Sequence, residues 1–265
     1  MLNKKLEILD NIIKELQSIV VAFSGGVDST YVLFRASKLK EIKVVALTIQ
    51  TPYIPRHEID EAKEFCEIYG INHVILNVDF PEIIRHNPRE RCYMCKKLLF
   101  GQIKEYAEKN GFKYVVDGTN ADDSGNFRPG LRALEEMKIR SPLMEAGLVK
   151  HEIREASQLE GLSTWDKPAY ACLLTRIPYE TEISEKDLRM IEDAEQFLFN
   201  EGFVGSRVRL HGNIARIECT NGHLEKIVAD QYREKIIRRF KEIGFRFVSL
   251  DLEGYRSGSF DENYI

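Results

Sequence analysis

Ser24-Gly-Gly-Val-Asp-Ser-Thr30 follows directly on the apolar run 19–23. A short buried strand here runs into a glycine turn, and a helix starts at the hydroxyl-rich end. Gly25 and Gly26 have no Cβ, so the backbone can take positive φ and approach a bound anion closely. Ser24, Ser29 and Thr30 add hydroxyl donors. The helix expected over 31–39 offers free N–H groups and the positive end of its dipole to phosphate. The stretch predicts a site for nucleotide phosphates at a strand–helix corner. The competing reading is a glycine-rich corner that binds nothing.

Outward from this corner, short β-rich runs alternate with helical patterns. Strands are expected over 19–23, 43–49, 73–78 and 114–117, and helices over 31–39, 58–69, 96–110 and 151–160. Runs such as Val44-Val-Ala-Leu47 are apolar on both faces, as parallel strands covered by helices should be. The alternation predicts an α/β fold with a doubly wound, mostly parallel sheet. Ligands in such sheets sit beyond the carboxyl ends of the strands, where the glycine turn and Asp117-Gly-Thr-Asn120 both fall. The pattern changes around 168–178. Ser184 then reads as an N-cap opening a helix to about 200, followed by strands 206–210 and 214–218 with a hairpin turn at 211–213. A helix over 230–243 and a strand over 246–250 complete a small α+β domain. The expected division is 1–180 and 181–265.

Two other phosphate loops are excluded. The Walker loop needs Gly-Lys-Ser/Thr, and no glycine in this chain precedes a lysine. The dinucleotide fingerprint needs Gly-x-Gly-x-x-Gly, and residues 25–30 hold only an adjacent pair. What remains resembles the PP-loop of the ATP pyrophosphatases, Ser-Gly-Gly-x-Asp-Ser. That resemblance implies cleavage of ATP between the α and β phosphates, adenylation of an acceptor and release of pyrophosphate. Asp28 is the expected Mg²⁺-positioning carboxylate, since hard cations prefer oxygen. Asp117, Asn120 and Asp122 are further candidates for Mg²⁺, ribose or other parts of the nucleotide.

Composition sets outer bounds. The chain has 265 residues, 43% of them hydrophobic and 30% charged, which fits a soluble globular protein. A net charge of −4 argues against a large nucleic-acid surface. No apolar run approaches the ~18 residues of a membrane helix. Residues 1–17 read as an amphipathic helix rather than a signal peptide, so a cytoplasmic location with reduced thiols is expected.

Of the five cysteines, Cys66 and Cys219 read as small buried hydrophobes. Cys92-Tyr-Met-Cys95 stands at an expected helix start among Arg91, Lys96 and Lys97, a setting that favours thiolate. Such a pair suits zinc, an iron–sulfur cluster or a redox dithiol. Cys172 lies between prolines with Arg176 four positions on, which suits an irregular loop. Three thiolates, Cys92, Cys95 and Cys172, suffice for a [4Fe–4S] cluster with one open iron.

Several further segments resemble the LarE family, the pyridinium-3,5-biscarboxylic acid mononucleotide sulfurtransferases. They are Asp117-Gly-Thr-Asn-Ala-Asp-Asp123, Arg128-Pro-Gly130, Ser141-Pro-Leu143, Trp165-Asp-Lys-Pro-Ala-Tyr-Ala-Cys172 and Leu250-Asp-Leu-Glu-Gly-Tyr-Arg-Ser-Gly258. Together they span nearly the whole chain in order. The resemblance implies an ATP-dependent enzyme that makes the thiocarboxylates of the nickel-pincer nucleotide of lactate racemase-type enzymes. Its substrate would be a nicotinic-acid-derived mononucleotide, and its sulfur would come from sulfide or another donor. It also implies a homo-oligomer such as a hexamer. The family has two styles, one sacrificing the sulfur of the cysteine matching Cys172, the other carrying sulfide on a three-cysteine [4Fe–4S] cluster. This chain has all three cysteines and resembles the second. Arg176, and Arg207 with Arg209 on one strand face, match places where the family binds substrate phosphate; an exposed, solvated strand face is the alternative for the last two. A tRNA thiolase, an amidotransferase-type synthetase and a non-catalytic nucleotide-binding module are the rival functions. The first needs an RNA surface, the second needs none of the three cysteines, and the third releases no pyrophosphate.

Overall fold

The computed structural model describes residues 2–125, 129–168 and 171–256. Arg128, Ala169, Tyr170, Ser257 and Gly258, which contribute to the segments above, lie outside them. The chain divides into two compact units, Met1–Pro81 with Glu90–Tyr170, and Glu82–Arg89 with Ala171–Ile265. The change of unit after Tyr170 comes earlier than the boundary at 180 read from the sequence.

The first unit runs α1 (Leu2–Leu16), β1 (Ser18–Ala22), α2 (Val27–Lys38), β2 (Lys43–Gln50), α3 (Arg56–Ile68) and β3 (His73–Asn77). After the excursion into the other unit come α4 (Arg91–Lys109), β4 (Tyr114–Val116), α5 (Pro129–Glu136), α6 (Pro142–Glu145) and α7 (Lys150–Leu159). The sheet order is β3-β2-β1-β4, and every pairing is parallel. Alternation along β1 sends Ile19 and Val21 into one core, with Leu9 and Ile13 of α1, Leu33 of α2 and Ile153 of α7. Val20 goes into the other, with Val45, Val115, Ile103 of α4 and Leu134 of α5. Both faces of the sheet are therefore covered, which is why its strands read as unbroken apolar runs. The chain winds outward from β1 to β3, then returns to place β4 on β1's other side. The order reverses between β1 and β4, and the crevice beyond their carboxyl ends is where this fold class binds ligands.

The second unit has α8 (Glu185–Asn200), β5 (Arg207–His211), β6 (Ile214–Glu218), α9 (Leu224–Val228), α10 (Asp230–Ile243) and β7 (Phe247–Leu250). β5 and β6 form the expected antiparallel hairpin, while β7 joins β6 in parallel. Ser184 caps α8 by accepting the Asp187 N–H at 3.1 Å. Segment 82–89 joins this unit through the buried Asn87, whose Nδ2 donates to the carbonyls of Ile177 (2.8 Å) and Pro178 (3.0 Å).

Two helix starts differ from the sequence reading. α2 begins at Val27, not 31, because Gly26 supplies an extended N-cap (φ −78°, ψ 159°). Asp28, Ser29 and Thr30 therefore lie in the first turn. α4 begins at Arg91, not 96, which places Cys92 and Cys95 inside the helix.

Candidate functional site

The corner between β1 and α2 is built largely by its own backbone. Gly25 takes φ +69°, a backbone conformation that side chains resist, close against Ala62 and the Glu58 carbonyl of α3. Ser24 Oγ accepts the Gly26 N–H (3.4 Å) and lies 3.1 Å from Ser29 Oγ, which donates to the Gly26 carbonyl (3.2 Å). The first helical bond recorded at this end is Thr30 N–H to Gly26 C=O. The N–H groups before it lack intrahelical acceptors and carry the positive end of the helix dipole. Thr30 is wholly buried, and its Oγ1 has no hydrogen-bond partner.

Asp28 sits at the mouth of this corner. Its Oδ2 accepts from Lys150 Nζ at 2.5 Å, while its Oδ1 is buried with no hydrogen-bond partner. Burial pushes the Asp28 carboxyl above its ordinary pKa, and the Lys150 ammonium only partly offsets this. A carboxylate oxygen buried without a donor fits a divalent cation, which would supply the missing positive charge.

The second wall is the 117–120 turn after β4. The Asp117 carboxylate accepts from Thr119 N–H (3.2 Å), Thr119 Oγ1 (2.5 Å) and Ser141 Oγ (2.7 Å). Asp117 thus braces its own turn and the start of α6 through Ser141. Asn120 accepts the Asp122 N–H (3.0 Å), and Asp122 in turn accepts the Lys150 N–H at the start of α7 (2.8 Å). This chain of contacts, with Lys5–Glu152 and Arg35–Glu160 ion pairs along α7, sets where the Lys150 side chain emerges. Sequence reasoning missed Lys150. It also missed Lys167, whose Nζ donates to the Gly25 carbonyl at 2.9 Å. Both reach the corner from more than a hundred residues away, so no local pattern announces them.

Cys92 is exposed and Cys95 partly buried on α4, where the Tyr53 hydroxyl lies 3.2 Å from Cys95 Sγ. Cys66 and Cys219 are buried, as expected, and burial pushes the Cys66 thiol up to about 12. Among the described residues no group of three or more His, Cys, Asp or Glu side chains is placed to hold a metal ion.

In the second unit Cys172 precedes a short 3-10 turn, Leu173–Arg176, and is partly buried. Arg176 is 1% exposed and grips Glu195 through Nε (2.9 Å) and Nη2 (3.0 Å). Its Nη1 donates to the Ala171 carbonyl (2.9 Å) and to Thr175 Oγ1 (2.7 Å). Arg176 therefore shapes the turn that presents Cys172. Arg207 and Arg209 are buried, not spread on a solvated strand face. Arg209 donates to Glu218 Oε2 (2.9 and 2.7 Å) and to the Thr175 carbonyl (2.7 Å), tying β5 to the Cys172 turn. Arg207 Nη1 donates to the Ser206 carbonyl, and its guanidinium lies over the Tyr255 ring, 5.2 Å from the centroid. Arg216 approaches Glu218 Oε1 at 3.1 Å and pairs with Asp251. No described helix is long and apolar enough to cross a membrane.

Comparison with known proteins adds what geometry cannot. The profile of the family described as queuosine biosynthesis protein QueC matches residues 18–91, the corner and its flanking strands. An uncharacterised protein of Synechocystis is 39% identical over 260 residues, 97% of each chain. One from Methanocaldococcus jannaschii is 39% identical over 257 residues, 96% of this chain and 98% of its own. The pyridinium-3,5-bisthiocarboxylic acid mononucleotide synthase of Lactiplantibacillus plantarum is 34% identical over 253 residues, covering 94% of this chain and 91% of that one. At 34% identity over nearly the full length of both proteins, the chain belongs to the LarE family.

Proposed function

We propose that this protein is an ATP-dependent sulfurtransferase that converts the carboxylates of pyridinium-3,5-biscarboxylic acid mononucleotide into thiocarboxylates. The observation that supports it most is the corner itself: the Gly26-capped start of α2, the Ser24–Ser29 pair and the buried Asp28 oxygen at the sheet's switch point. ATP phosphates lie on the N–H groups of 26–29, with Lys150 nearby as counter-charge. Asp28 would hold a Mg²⁺ ion, which would supply charge neutralisation to the departing pyrophosphate.

A substrate carboxylate attacks the α-phosphorus. The P–O bond to pyrophosphate breaks, and an acyl-adenylate forms. A sulfur nucleophile then attacks the acyl carbon and AMP leaves with the C–O bonding pair. Sulfide gives the thiocarboxylate directly. The Cys172 thiolate instead gives a thioester whose Cβ–S bond breaks as the Cys172 α-proton is lost, leaving dehydroalanine on the protein and the thiocarboxylate in the product. The activation is needed because a carboxylate has no leaving group that sulfur can displace at neutral pH. Arg176 holds the Cys172 turn by its carbonyls, and Arg207 and Arg209 stand on the adjoining strand of the same unit as the family's phosphate-binding positions. The residues after 181 form the substrate-binding and oligomerisation part of the chain.

Iron content separates the two sulfur sources. Visible absorbance of anaerobically purified protein that disappears in Cys92→Ala supports a [4Fe–4S] cluster on Cys92, Cys95 and Cys172. Colourless protein whose Cys172 becomes dehydroalanine on turnover supports sacrifice. The function itself is tested by mixing protein, ATP and the dicarboxylate mononucleotide. Stoichiometric pyrophosphate and AMP, with oxygen-to-sulfur exchange in the product mass, are expected; ATP binding with no pyrophosphate on adding substrate would refute the proposal.

A further inference from the structure

Segment 162–168 leads from the end of α7 back to the phosphate corner. Leu162 is buried in the core, and the N–H groups of Trp165 and Lys167 donate to the carbonyls of Leu162 (3.3 Å) and Thr164 (3.1 Å). Arg154, one turn along α7 from Lys150, donates to the carbonyls of Trp165 (2.6 Å) and Lys167 (2.7 Å). The Lys167 side chain is thereby aimed at the corner. It is 12% exposed, donates to the Gly25 carbonyl at 2.9 Å and pairs with Glu61 of α3. Two ammonium groups, Lys150 and Lys167, thus stand beside a helix N-terminus that is itself positive. Asp28 and Glu61 face them, but about half of the Glu61 side chain is in water, where its attraction is screened.

We propose that Lys167 is a ligand of the nucleotide's phosphates, delivered by the 162–168 strap. When ATP binds, phosphate oxygens replace the Gly25 carbonyl and Glu61 as acceptors, and the strap shifts with the side chain. This rests on the reading of 24–30 as a nucleotide phosphate corner. An ammonium carries three donors on a flexible four-carbon stem, so a short exchange of acceptors needs no change in the fold. A phosphate oxygen, bearing formal charge, is a stronger acceptor than a backbone carbonyl. The strap also carries Trp165, the one tryptophan of the chain, 37% exposed and two residues from Lys167. Its emission therefore reports on this segment alone.

The experiment is calorimetric titration with ATP·Mg²⁺ and with inorganic pyrophosphate, alongside Trp165 emission and a thermal melt. Lys167→Met is expected to weaken both ligands by about 10–100-fold, the scale of one charge-assisted hydrogen bond, with Lys167→Arg recovering much of the loss. Glu61→Gln is expected to tighten pyrophosphate in the wild-type background and to do nothing in Lys167→Met. Emission should move on adding pyrophosphate to wild type and stay still in Lys167→Met. Wild-type affinity in a folded Lys167→Met, or equal tightening by Glu61→Gln in both backgrounds, overturns the proposal. So does an unmoved wild-type emission, for the strap. Wild-type protein that binds neither ligand overturns this proposal together with the reading of the corner. If Lys167→Met does not fold, Glu61→Gln in the wild-type background decides: tighter pyrophosphate supports the proposal, and unchanged affinity overturns it.

Discussion

A Cβ on Gly118 would lie 2.6 Å from the backbone nitrogen of Ser29 and 3.0 Å from the Asp28 carbonyl carbon. The turn after β4 thus rests directly on the first turn of α2, backbone to backbone, and no side chain can intervene. Gly118→Ala must separate the two walls of the crevice. We expect a loss of about 1–3 kcal/mol, typical of overpacking, and a matching loss of ATP affinity. Thermal melts and ATP titration check this; Gly111→Ala, which meets no atom within 4 Å but has φ +68°, is a comparison for backbone strain alone.

Asp28 sets stability against function. Its carboxyl pKa is raised because burial disfavours the charged form more than Lys150 favours it. A raised pKa means that stability falls as pH rises above the ordinary carboxylate value, and the loss is complete above the folded value. Asp28→Asn should therefore hold or raise the melting temperature at pH 7 in the absence of nucleotide. Pyrophosphate release should fall by on the order of 100-fold or more, since neutralisation of the leaving group is lost. A melting temperature well below wild type would contradict the first half.

In the proposed mechanism Cys172 acts after adenylation. Cys172→Ser should still release pyrophosphate from ATP and substrate, but yield no thiocarboxylate. Mass analysis of the product, beside a pyrophosphate assay, separates the two steps. Loss of both activities with an unchanged melt would instead place Cys172 in the first step.

The strands and the glycine corner were legible because they are local. Ile19, Val20 and Val21 need both faces covered, and Gly25 must reach φ +69°, which side chains resist. The start of α2 was less so. Ser29 and Thr30 have the composition of a loop, and only the extended cap at Gly26 puts them in the helix. The arginines were read for their type and face, but not for their partners. Glu195 reaches Arg176 from α8, which packs against the Cys172 turn, and Glu218 reaches Arg209 across the β5–β6 hairpin, 19 and 9 residues away. Lys150 and Lys167 were illegible for the same reason.

Arg209 tests that hidden pairing. Glu218 is fully buried, and Arg209→Met would remove one of its ion-pair partners and leave Arg216. Removing one member of a buried pair typically costs about 3–5 kcal/mol. Adding Glu218→Gln to Arg209→Met should recover most of the melting temperature. If Arg209 also holds substrate phosphate, the double variant keeps a raised KM for the mononucleotide with near-normal ATP affinity. A double variant with normal stability and KM assigns Arg209 to the scaffold only.

His73 makes the corner sensitive to acid. The Thr48 hydroxyl has one hydrogen, and it goes to the Phe23 carbonyl at 2.7 Å. His73 Nε2, 2.8 Å from the same oxygen, must therefore be the donor, which fixes the tautomer. Phe23 immediately precedes Ser24 and also meets the His73 ring edge-on, 5.9 Å between centroids. Burial first, then the charge of Lys63, lowers the His73 pKa below its ordinary value. The imidazolium is thus harder to form in the folded chain than in the unfolded one. The stability this provides is complete above the ordinary pKa of about 6.5 and is lost as pH falls through the lowered folded value. Wild-type melting temperature should drop on acidification below about pH 6.5, with ATP affinity falling alongside because Phe23 anchors the corner. His73→Gln, which keeps a donor near Nε2 but cannot titrate, should flatten this part of the profile. Carboxylate losses at lower pH remain common to both proteins. Identical wild-type and His73→Gln profiles between pH 5 and 7 would show that acid acts elsewhere.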